Sequence, residues 1–323
     1  MKIGKVLAIF CAGLVCCAAL LAEEIQVGPQ IKAYEKVSGV SGSLSSIGSD
    51  TLNNLMTFWA EKFRQLYPNV AIQIEGKGSS TAPSALISGT AQLGPMSRMM
   101  KKEEIEKFEQ VYAYRPTAVG VALDTLAVFV NKDNPLDALS LQEVDAIFSK
   151  NRKGGAGEEI KVWGQLGLKD RFESLPISLF GRNSASGTYG YFKEHALFKG
   201  DFKDGVKEQP GSASVVQGVA EDISAIGYSG IGYRTSGVKV LSLSAKKGAP
   251  VFAPTYANAL SGKYPMSRML YIYVAKKPGA PLPPMLLEFF RMVLSKEGQE
   301  IVIKDGYLPL TPALIEKQLA LIK

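Results

Sequence analysis

The sequence predicts an α/β protein in which helices cover the faces of β-sheets. Strand and helix signals alternate along the chain from Ile47 onward, an order typical of sheets with helices packed on them. A chain of 323 residues is long enough for two lobes with separate cores. Apolar residues make up 46% of the sequence and charged residues 21%, which excludes disordered and collagen-like proteins.

The first 22 residues have the three parts of a secretion signal. Lys2 and Lys5 precede an apolar stretch over residues 6–21, and the small residue Ala22 follows. This stretch is shorter than the roughly 20 residues that a membrane-spanning helix needs, so an anchor is the less favoured interpretation. We therefore predict a cleaved signal peptide over residues 1–22 and an exported protein.

The three cysteines, Cys11, Cys16 and Cys17, all lie inside this segment. Cleavage after Ala22 would leave a chain without thiols, which excludes disulfides, zinc–thiolate sites and cysteine nucleophiles. A lipid-modified Cys16 or Cys17 stays open as a second interpretation, although the residues before them match a lipobox poorly.

The charge of the chain suits a small anion as partner. Without Lys2 and Lys5 the sequence has 35 basic and 30 acidic residues, a net charge of +5. Basic residues are interleaved with acidic ones, as in residues 101–104, which is typical of a solvated helix face. Because no basic stripe with interleaved aromatic residues is found, we predict no nucleic-acid partner.

The predicted elements begin after a lead-in over residues 23–46. Its Ser- and Gly-rich end, residues 38–46, is interpreted as a flexible link. Helical spacing over residues 52–66 stops before Pro68, and residues 70–75 alternate as a strand does. The further predictions are a capped helix opening at Ser140, strands over 176–180, 225–228 and 270–274, and helices over 215–223 and 284–294.

Two apolar runs could carry the chain between lobes. Residues 119–130 are interrupted by Asp124 and are too short to span a membrane, so this run and residues 269–275 are interpreted as buried strands. The segment Pro-Met-Ser-Arg-Met occurs at residues 95–99 and again at 265–269. The flanking residues do not repeat, so we interpret this echo as coincidence and not as an internal duplication.

Three junctions between a strand and a helix look suited to an oxyanion. They are residues 48–51 (Gly-Ser-Asp-Thr), 78–81 (Gly-Ser-Ser-Thr) and 182–188 (Arg-Asn-Ser-Ala-Ser-Gly-Thr). Free backbone N–H groups and the positive end of a helix dipole are exposed at such junctions, and hydroxyl groups add donors. A single junction of this kind is more often a simple helix cap. Three together, one with the bidentate donor Arg182, favour an anion site.

Asp50 is unexpected among donors to an anion. An ionised carboxylate could accept the proton that phosphate retains near neutral pH, and it would repel the fully ionised sulfate. The alternative is that Asp50 caps the helix predicted over residues 52–66. Both interpretations stay open, and they are compatible.

These loops resemble those of the periplasmic phosphate-binding proteins of bacterial phosphate ABC transporters, the Pst system. The most specific piece is residues 182–188, where the family has Arg-x-x-x-Ser-Gly-Thr, and the resemblance runs from about Ile47 to Leu310. It implies that Arg182 is a charged clamp and that the hydroxyl and amide groups of the three loops donate to phosphate. The candidate phosphate ligands are Ser49, Asp50, Thr51, Ser79, Ser80, Arg98, Arg182, Ser186, Gly187 and Thr188.

One position departs from part of the family. Where some members have an aspartate that accepts the phosphate proton, this chain has Ser-Arg at Ser97 and Arg98. The acceptor is therefore assigned to Asp50 as a substitute. Arg98 is expected to be either a second cationic contact, which we favour slightly, or a salt-bridged support.

The resemblance also implies the architecture: a type II, Venus-flytrap periplasmic binding protein with two lobes joined by two crossover strands. Residues 47–125 and 260–323 would form lobe I, and residues 126–259 lobe II. The chain would be a periplasmic monomer without cofactor or metal that captures inorganic phosphate in the cleft and delivers it to the permease and ATPase of an ABC importer.

Two alternatives stay open. The same fold could take sulfate, molybdate or tungstate, or the protein could be a phosphate-recognising hydrolase. The hydrolase is disfavoured because Gly-x-Ser-x-Gly is absent and His195 is the only histidine, so a serine triad would depend wholly on it. We therefore predict that the chain is not an enzyme.

Overall fold

A computed structural model describes residues 25–323, so the predicted signal peptide and the three cysteines lie outside the described residues. Strands and helices alternate over most of the described chain, as expected. In chain order they are β1 (Gly42–Ile47), α1 (Asn53–Leu66), β2 (Val70–Glu75), α2 (Ala82–Ile87), β3 (Gly94–Met96), α3 (Lys102–Tyr112), β4 (Thr117–Asn131), β5 (Ala138–Ser140), α4 (Leu141–Phe148), β6 (Ser178–Arg182), α5 (Gly187–His195), β7 (Lys207–Gln209), α6 (Ser212–Glu221), β8 (Ala225–Gly230), β9 (Val238–Val240), β10 (Ser242–Ser244), α7 (Tyr256–Leu260), β11 (Ser267–Val274), α8 (Pro284–Val293), α9 (Lys296–Lys304) and α10 (Pro312–Ile322).

The largest sheet has the strand order β3-β11-β4-β8-β6-β7, and β9 also pairs with β4. Strand β11 is antiparallel to β3 and β4, and β4 is antiparallel to β8 and β9, whereas β6 is parallel to β7 and β8. Two small parallel sheets, β1–β2 and β5–β10, complete the described strands. The sheet is therefore mixed, with helices between most of its strands.

Strand β4 passes from one apolar core to another. Val121 near its start packs with the side chains of α1 and α8, while Leu126 packs in a separate core with those of α4 and α5. On β11, Leu270 belongs to the first core, and Met266, just before the strand, belongs to the second. The side chains thus pass from one core to the other within β4 and again between Met266 and Leu270, near the two apolar runs expected to be crossovers.

The lead-in corrects one expectation. Part of the stretch interpreted as a flexible link forms β1, which pairs in parallel with β2 and places Leu44 opposite Ile72. Leu44 and Val40 are both buried in the first core. Serine and glycine composition is typical of linkers, but backbone pairing with β2 and burial of alternate residues outweigh it here.

Other local signals agree with the structure. The capping box at Ser140 is present: its hydroxyl accepts a hydrogen bond from the Glu143 amide at 3.2 Å, and its amide donates to the Glu143 carboxylate at 2.8 Å. Helix α1 follows a short 3₁₀ turn, Asp50–Leu52, that begins at the first predicted anion loop. Among residues 25–323, no helix is both long and apolar enough to cross a membrane.

Candidate functional site

The structure brings the three predicted loops together. The Gly78 amide donates to the Gly48 carbonyl at 2.7 Å, which joins the second loop to the first. The Ser80 amide and hydroxyl both donate to the Ala185 carbonyl, at 3.2 and 2.8 Å, which joins the second loop to the third. The Ser80 hydroxyl therefore links the second and third loops by a hydrogen bond in this conformation.

Buried hydroxyl groups from separate segments line the junction. The Ser49 hydroxyl donates to the Ser97 hydroxyl at 3.1 Å, and the Ser79 hydroxyl lies 3.3 Å from the same oxygen. The Ser97 amide also donates to the Ser79 hydroxyl at 3.0 Å. Gly187 lies against this cluster so closely that a Cβ at its position would be 2.2 Å from Ser79 Oγ. Only glycine allows the start of α5 to approach these oxygens in this way.

The start of α5 contributes two further hydroxyl groups. The Ser186 side chain caps the helix by accepting from the Thr188 and Tyr189 amides at 3.1 and 3.3 Å. A hydroxyl that accepts hydrogen bonds from two amides can still donate its own hydrogen to a third group. The Thr188 hydroxyl lies 2.9 Å from that of Thr51 and accepts from Arg268 Nη2 at 3.0 Å. The start of α5 therefore contacts both the first loop, through Thr51, and strand β11, through Arg268.

Arg182 is the buried cation predicted for this site, with 1% of its side chain exposed. Its Nη1 donates to the Ser212 hydroxyl at 2.6 Å and lies 3.2 Å from an Asp50 carboxylate oxygen, and Nη2 donates to the Pro210 carbonyl at 3.0 Å. Its Nε is buried and has no hydrogen-bond partner among the described residues. Burial lowers the pKa of Arg182 and Asp50 opposes that shift, so the group stays charged.

Asp50 has a different local role from the cap expected of it. Its carboxylate accepts the Ser212 amide at 2.8 Å, so it caps α6 and not the helix that follows it in sequence. Ser49 occupies the cap position of the 3₁₀ turn before α1. The cap interpretation for residues 52–66 is therefore wrong, because the carboxylate turns toward Arg182 and the α6 start across the site.

Arg98 is turned away from the hydroxyl cluster. Its two terminal nitrogens each donate to a different carboxylate oxygen of Glu104 at 2.7 Å, and Nη1 also donates to the Met99 carbonyl at 2.9 Å. A planar guanidinium satisfied in this bidentate way is held by its own segment. The arrangement favours the salt-bridged support over the second cationic contact.

A second buried arginine, which sequence reasoning missed, lies at the site. Arg268 on β11 donates from Nε to an Asp124 carboxylate oxygen at 2.8 Å and from Nη1 to the Ser97 carbonyl at 3.0 Å. Asp124 on β4 also accepts the Ile231 amide at 3.1 Å, and its side chain is fully buried. Two ion pairs therefore flank the hydroxyl groups: Arg268–Asp124, which is fully buried, and Arg182–Asp50, in which only the aspartate is partly exposed.

Comparison with known proteins gives the family. A profile described as a PBP superfamily domain matches residues 35–297. The chain is 58% identical over 291 residues to the phosphate-binding protein PstS of Pseudomonas aeruginosa, and the match covers 90% of each sequence. The chain belongs to the PstS-like family of phosphate-binding proteins.

Solved structures confirm the expected fold for this PstS-like chain. A putative phosphate ABC transporter substrate-binding protein with bound phosphate from Clostridium perfringens has a TM-score of 0.69 and 25% identity, with coverage of 84% of this chain and 100% of that one. A possible phosphate-binding protein from Planctomyces limnophilus has a TM-score of 0.63 and 25% identity, covering 88% and 98%. The predicted periplasmic-binding-protein fold is thereby confirmed.

The signals for the missed residues of this PstS-like site were present in the sequence. The echoed Pro-Met-Ser-Arg-Met segments lie at neighbouring antiparallel strands, β3 and β11, and supply Ser97 and Arg268. In addition, Asp124 interrupts one apolar run and Arg268 immediately precedes the other. Opposite charges at two adjacent buried strands predict an ion pair, since a lone buried charge is costly.

Proposed function

We propose that this chain binds inorganic phosphate where the three loops meet and delivers it to an ABC importer. The observation that carries the proposal is an unpaired donor: the Nε of Arg182 is buried and has no hydrogen-bond partner among the described residues. The same site contains a cluster of serine and threonine hydroxyls. Buried donors are normally satisfied, so an unpaired one points to an acceptor supplied by a ligand. The phosphate-bound C. perfringens relative supports the same ligand class.

The donor set fits a small tetrahedral anion. Helix α5 and the two 3₁₀ turns that precede α1 and α2 begin at the site, and their amides and dipoles favour negative charge. In the present conformation the hydroxyls bond to one another, and phosphate would replace those mutual bonds with charge-assisted ones. Such bonds contribute about 1.5–3 kcal/mol each, so a few of them reach the roughly 8 kcal/mol of micromolar binding after the cost of immobilising the ligand.

The preference for phosphate over sulfate, molybdate and tungstate is assigned to Asp50. The two arginines of the site are each paired with an aspartate, so the buried charges sum to zero before the anion arrives. Asp50 keeps 21% of its side chain exposed, whereas Asp124 is fully enclosed. Asp50 is therefore the carboxylate better placed to accept a hydrogen bond from a protonated oxygen of an incoming ligand.

Phosphate would hold two lobes together. Taking residues 47–125 with 260–323 as lobe I and 126–259 as lobe II, the Thr51–Thr188 and Asp50–Ser212 contacts cross between them. A ligand that binds groups of both lobes stabilises the closed form by its differential affinity, and a permease can then recognise that form. Export through the signal peptide over residues 1–22, a periplasmic monomer and an ABC permease–ATPase partner belong to the same proposal.

Binding without catalysis is the role that the site supports. The Ser186 hydroxyl already accepts two amides as a helix cap, and His195 stacks on the Tyr191 ring, with centroids 4.1 Å apart. Burial lowers the pKa of His195, but no described hydrogen bond joins it to a serine as a triad would require. The hydrolase alternative therefore finds no support among the described residues.

Isothermal titration of the purified protein with phosphate, sulfate and molybdate tests the proposal. We expect phosphate to bind with micromolar or better affinity and to outcompete the other two anions. Equal affinities for all three anions, or no binding of phosphate, would contradict it.

Two conservative variants sharpen this titration. Arg182→Lys keeps a positive charge near Asp50 but loses the planar fork, so phosphate affinity should fall by about tenfold or more. Arg98→Lys is the matched control, because Arg98 bonds to Glu104 outside the hydroxyl cluster, and it should bind as the wild type does. Equal losses in both variants would restore Arg98 as a ligand.

A further inference from the structure

Three side chains of helix α5 share one face over about two turns. Thr188, Tyr191 and His195 are spaced by three and four residues, which places their side chains one above another. The Tyr191 hydroxyl donates to the Ser267 carbonyl at 2.7 Å, and the Arg268 guanidinium lies 5.3 Å from the centre of the Tyr191 ring. Tyr191 thus contacts two successive residues at the start of β11.

These contacts complete the cage around Arg268. The guanidinium is bonded to Asp124 and to the Ser97 carbonyl on one side, and to the Thr188 hydroxyl at the start of α5. Its remaining face is covered by the Tyr191 ring, the geometry of a cation–π contact, and only 2% of the arginine side chain is exposed. Helix α5 therefore holds Arg268 at two points, one turn apart.

The Tyr191 ring covers a face of the Arg268 guanidinium at a cavity, so it can shield the guanidinium from water. A cavity of about 730 Å³ lies between residues 98–103, the outer part of α5 and the start of β11, and both Tyr191 and Arg268 line it. Water in such a cavity would compete for the guanidinium and weaken its bonds to Asp124 and Thr188. An aromatic ring over the cation keeps those bonds in a drier environment.

We propose that Tyr191 is a positioning residue of the anion site: it holds Arg268 against Thr188 and ties α5 to the crossover strand β11. The proposal rests on the proposed function, because the part of α5 that it fixes is the part expected to bind phosphate. Its contacts with Ser267 and Arg268 must break before α5 moves away from β11, so they slow the release of the bound anion.

The hydroxyl bond persists over the physiological range. Burial raises the pKa of Tyr191 to about 12, so the phenol remains a donor to the Ser267 carbonyl. The ring of His195, one turn further along α5, packs against the Tyr191 ring with centroids 4.1 Å apart.

The test uses Tyr191→Phe, which removes only the hydroxyl, and Tyr191→Leu, which also removes the aromatic face. Phosphate dissociation is followed by stopped-flow fluorescence. We expect the dissociation rate to rise about 3- to 10-fold in Tyr191→Phe, the effect of one hydrogen bond, and further in Tyr191→Leu, with the association rate nearly unchanged. Tyr189→Phe is the matched control, because the Tyr189 ring packs on Phe202 away from Arg268.

Hydrogen exchange without phosphate provides a readout that does not depend on the ligand. Amides at the starts of α5 and β11 should exchange faster in both Tyr191 variants and as in wild type in Tyr189→Phe. Wild-type exchange and wild-type dissociation in Tyr191→Phe and Tyr191→Leu would overturn the proposal. If the wild-type protein binds no phosphate but the exchange difference is present, the proposed function fails while the positioning role of Tyr191 stands.

Discussion

Two buried arginines define this site at the scale of single residues. Arg182 and Arg268 are each paired with an aspartate, at 3.2 and 2.7 Å, although buried ion pairs contribute little to stability because desolvation offsets their attraction. The desolvation cost of these ion pairs is understandable if the charged groups bind or orient a ligand. Removing one partner would leave the other charge buried and unpaired, so conservative changes are the informative ones.

Asp50→Asn tests the residue assigned to anion selection. The amide keeps an oxygen for the Ser212 amide but loses the negative charge, so sulfate should no longer be repelled. The ratio of phosphate to sulfate affinity is expected to fall by about tenfold, the size of one charge-assisted bond, in competition calorimetry.

Asp222→Asn is the control for that measurement. Asp222 accepts the Ser224 amide at 2.9 Å in a turn outside the hydroxyl cluster, so its amide variant should keep the wild-type ratio. A wild-type ratio in Asp50→Asn as well would limit Asp50 to pairing with Arg182 and capping α6.

At the scale of elements, helix α5 connects the hydroxyl cluster with the crossover strand. It starts at Gly187 against Ser79 and Ser97, and its second and fifth residues, Thr188 and Tyr191, both contact Arg268. The Ser186 cap fixes where the helix begins, and therefore which amides face the other loops. The local sequence predicts this helix start well, because caps depend on neighbouring residues.

Gly187→Ala tests the close approach of α5. A Cβ there would lie 2.2 Å from Ser79 Oγ and 2.6 Å from Ser97 Oγ, so the loops must separate and phosphate binding should be lost or weakened at least tenfold. In Gly190→Ala, on the same helix, the new Cβ lies 3.5 Å from Arg98 Cδ, an ordinary contact. That control should bind normally and gain about 0.5–1 kcal/mol in stability, as measured by calorimetry and urea unfolding. Normal binding in Gly187→Ala would show that the loops are not packed this closely in solution.

At the largest scale, two tyrosines that are distant in sequence hold the backbone of the first loop in place. The Tyr307 hydroxyl donates to the Thr51 carbonyl at 2.8 Å, and the Tyr233 hydroxyl donates to the Asp50 carbonyl at 2.8 Å. Asp305, at the end of α9, lies in the same region, and burial raises its pKa to about 7. A carboxylate at a helix C-terminus also opposes the helix dipole.

The raised pKa of Asp305 predicts that stability falls with rising pH. An unfolded aspartate has a pKa of about 3.9, so between about pH 4 and 7 the folded protein binds more protons at this site than the unfolded one. Its contribution to the free energy of unfolding is complete below pH 4 and is lost as pH rises through about 7. Asp305→Asn should therefore raise the melting temperature relative to wild type at pH 8 more than at pH 5.

Thermal unfolding at both pH values checks this prediction. Asp204→Asn is the control, because the Asp204 side chain is 91% exposed and pairs only with Lys150 at the surface. An Asp305→Asn protein whose melting temperature differs from wild type by the same amount at pH 5 and pH 8 would contradict the assigned pKa.

Local sequence is enough to predict the α/β alternation, the three hydroxyl-rich helix starts and the resemblance to phosphate-binding proteins. These follow from local signals: hydrophobic period, caps and short motifs act over a few residues and need no distant partner. The strand character of β1 was missed for the same reason, because it depends on pairing with β2.

Which charged side chains pair with each other depends on the three-dimensional fold. Arg98 and Arg268 stand in the same pentapeptide, Pro-Met-Ser-Arg-Met, yet the first is bound by Glu104 and the second is buried with Asp124 at the hydroxyl cluster. A guanidinium takes the acceptor that the fold places beside it, and that acceptor can lie more than a hundred residues away in sequence. Identical local sequences therefore acquire different roles through the pairing of distant strands.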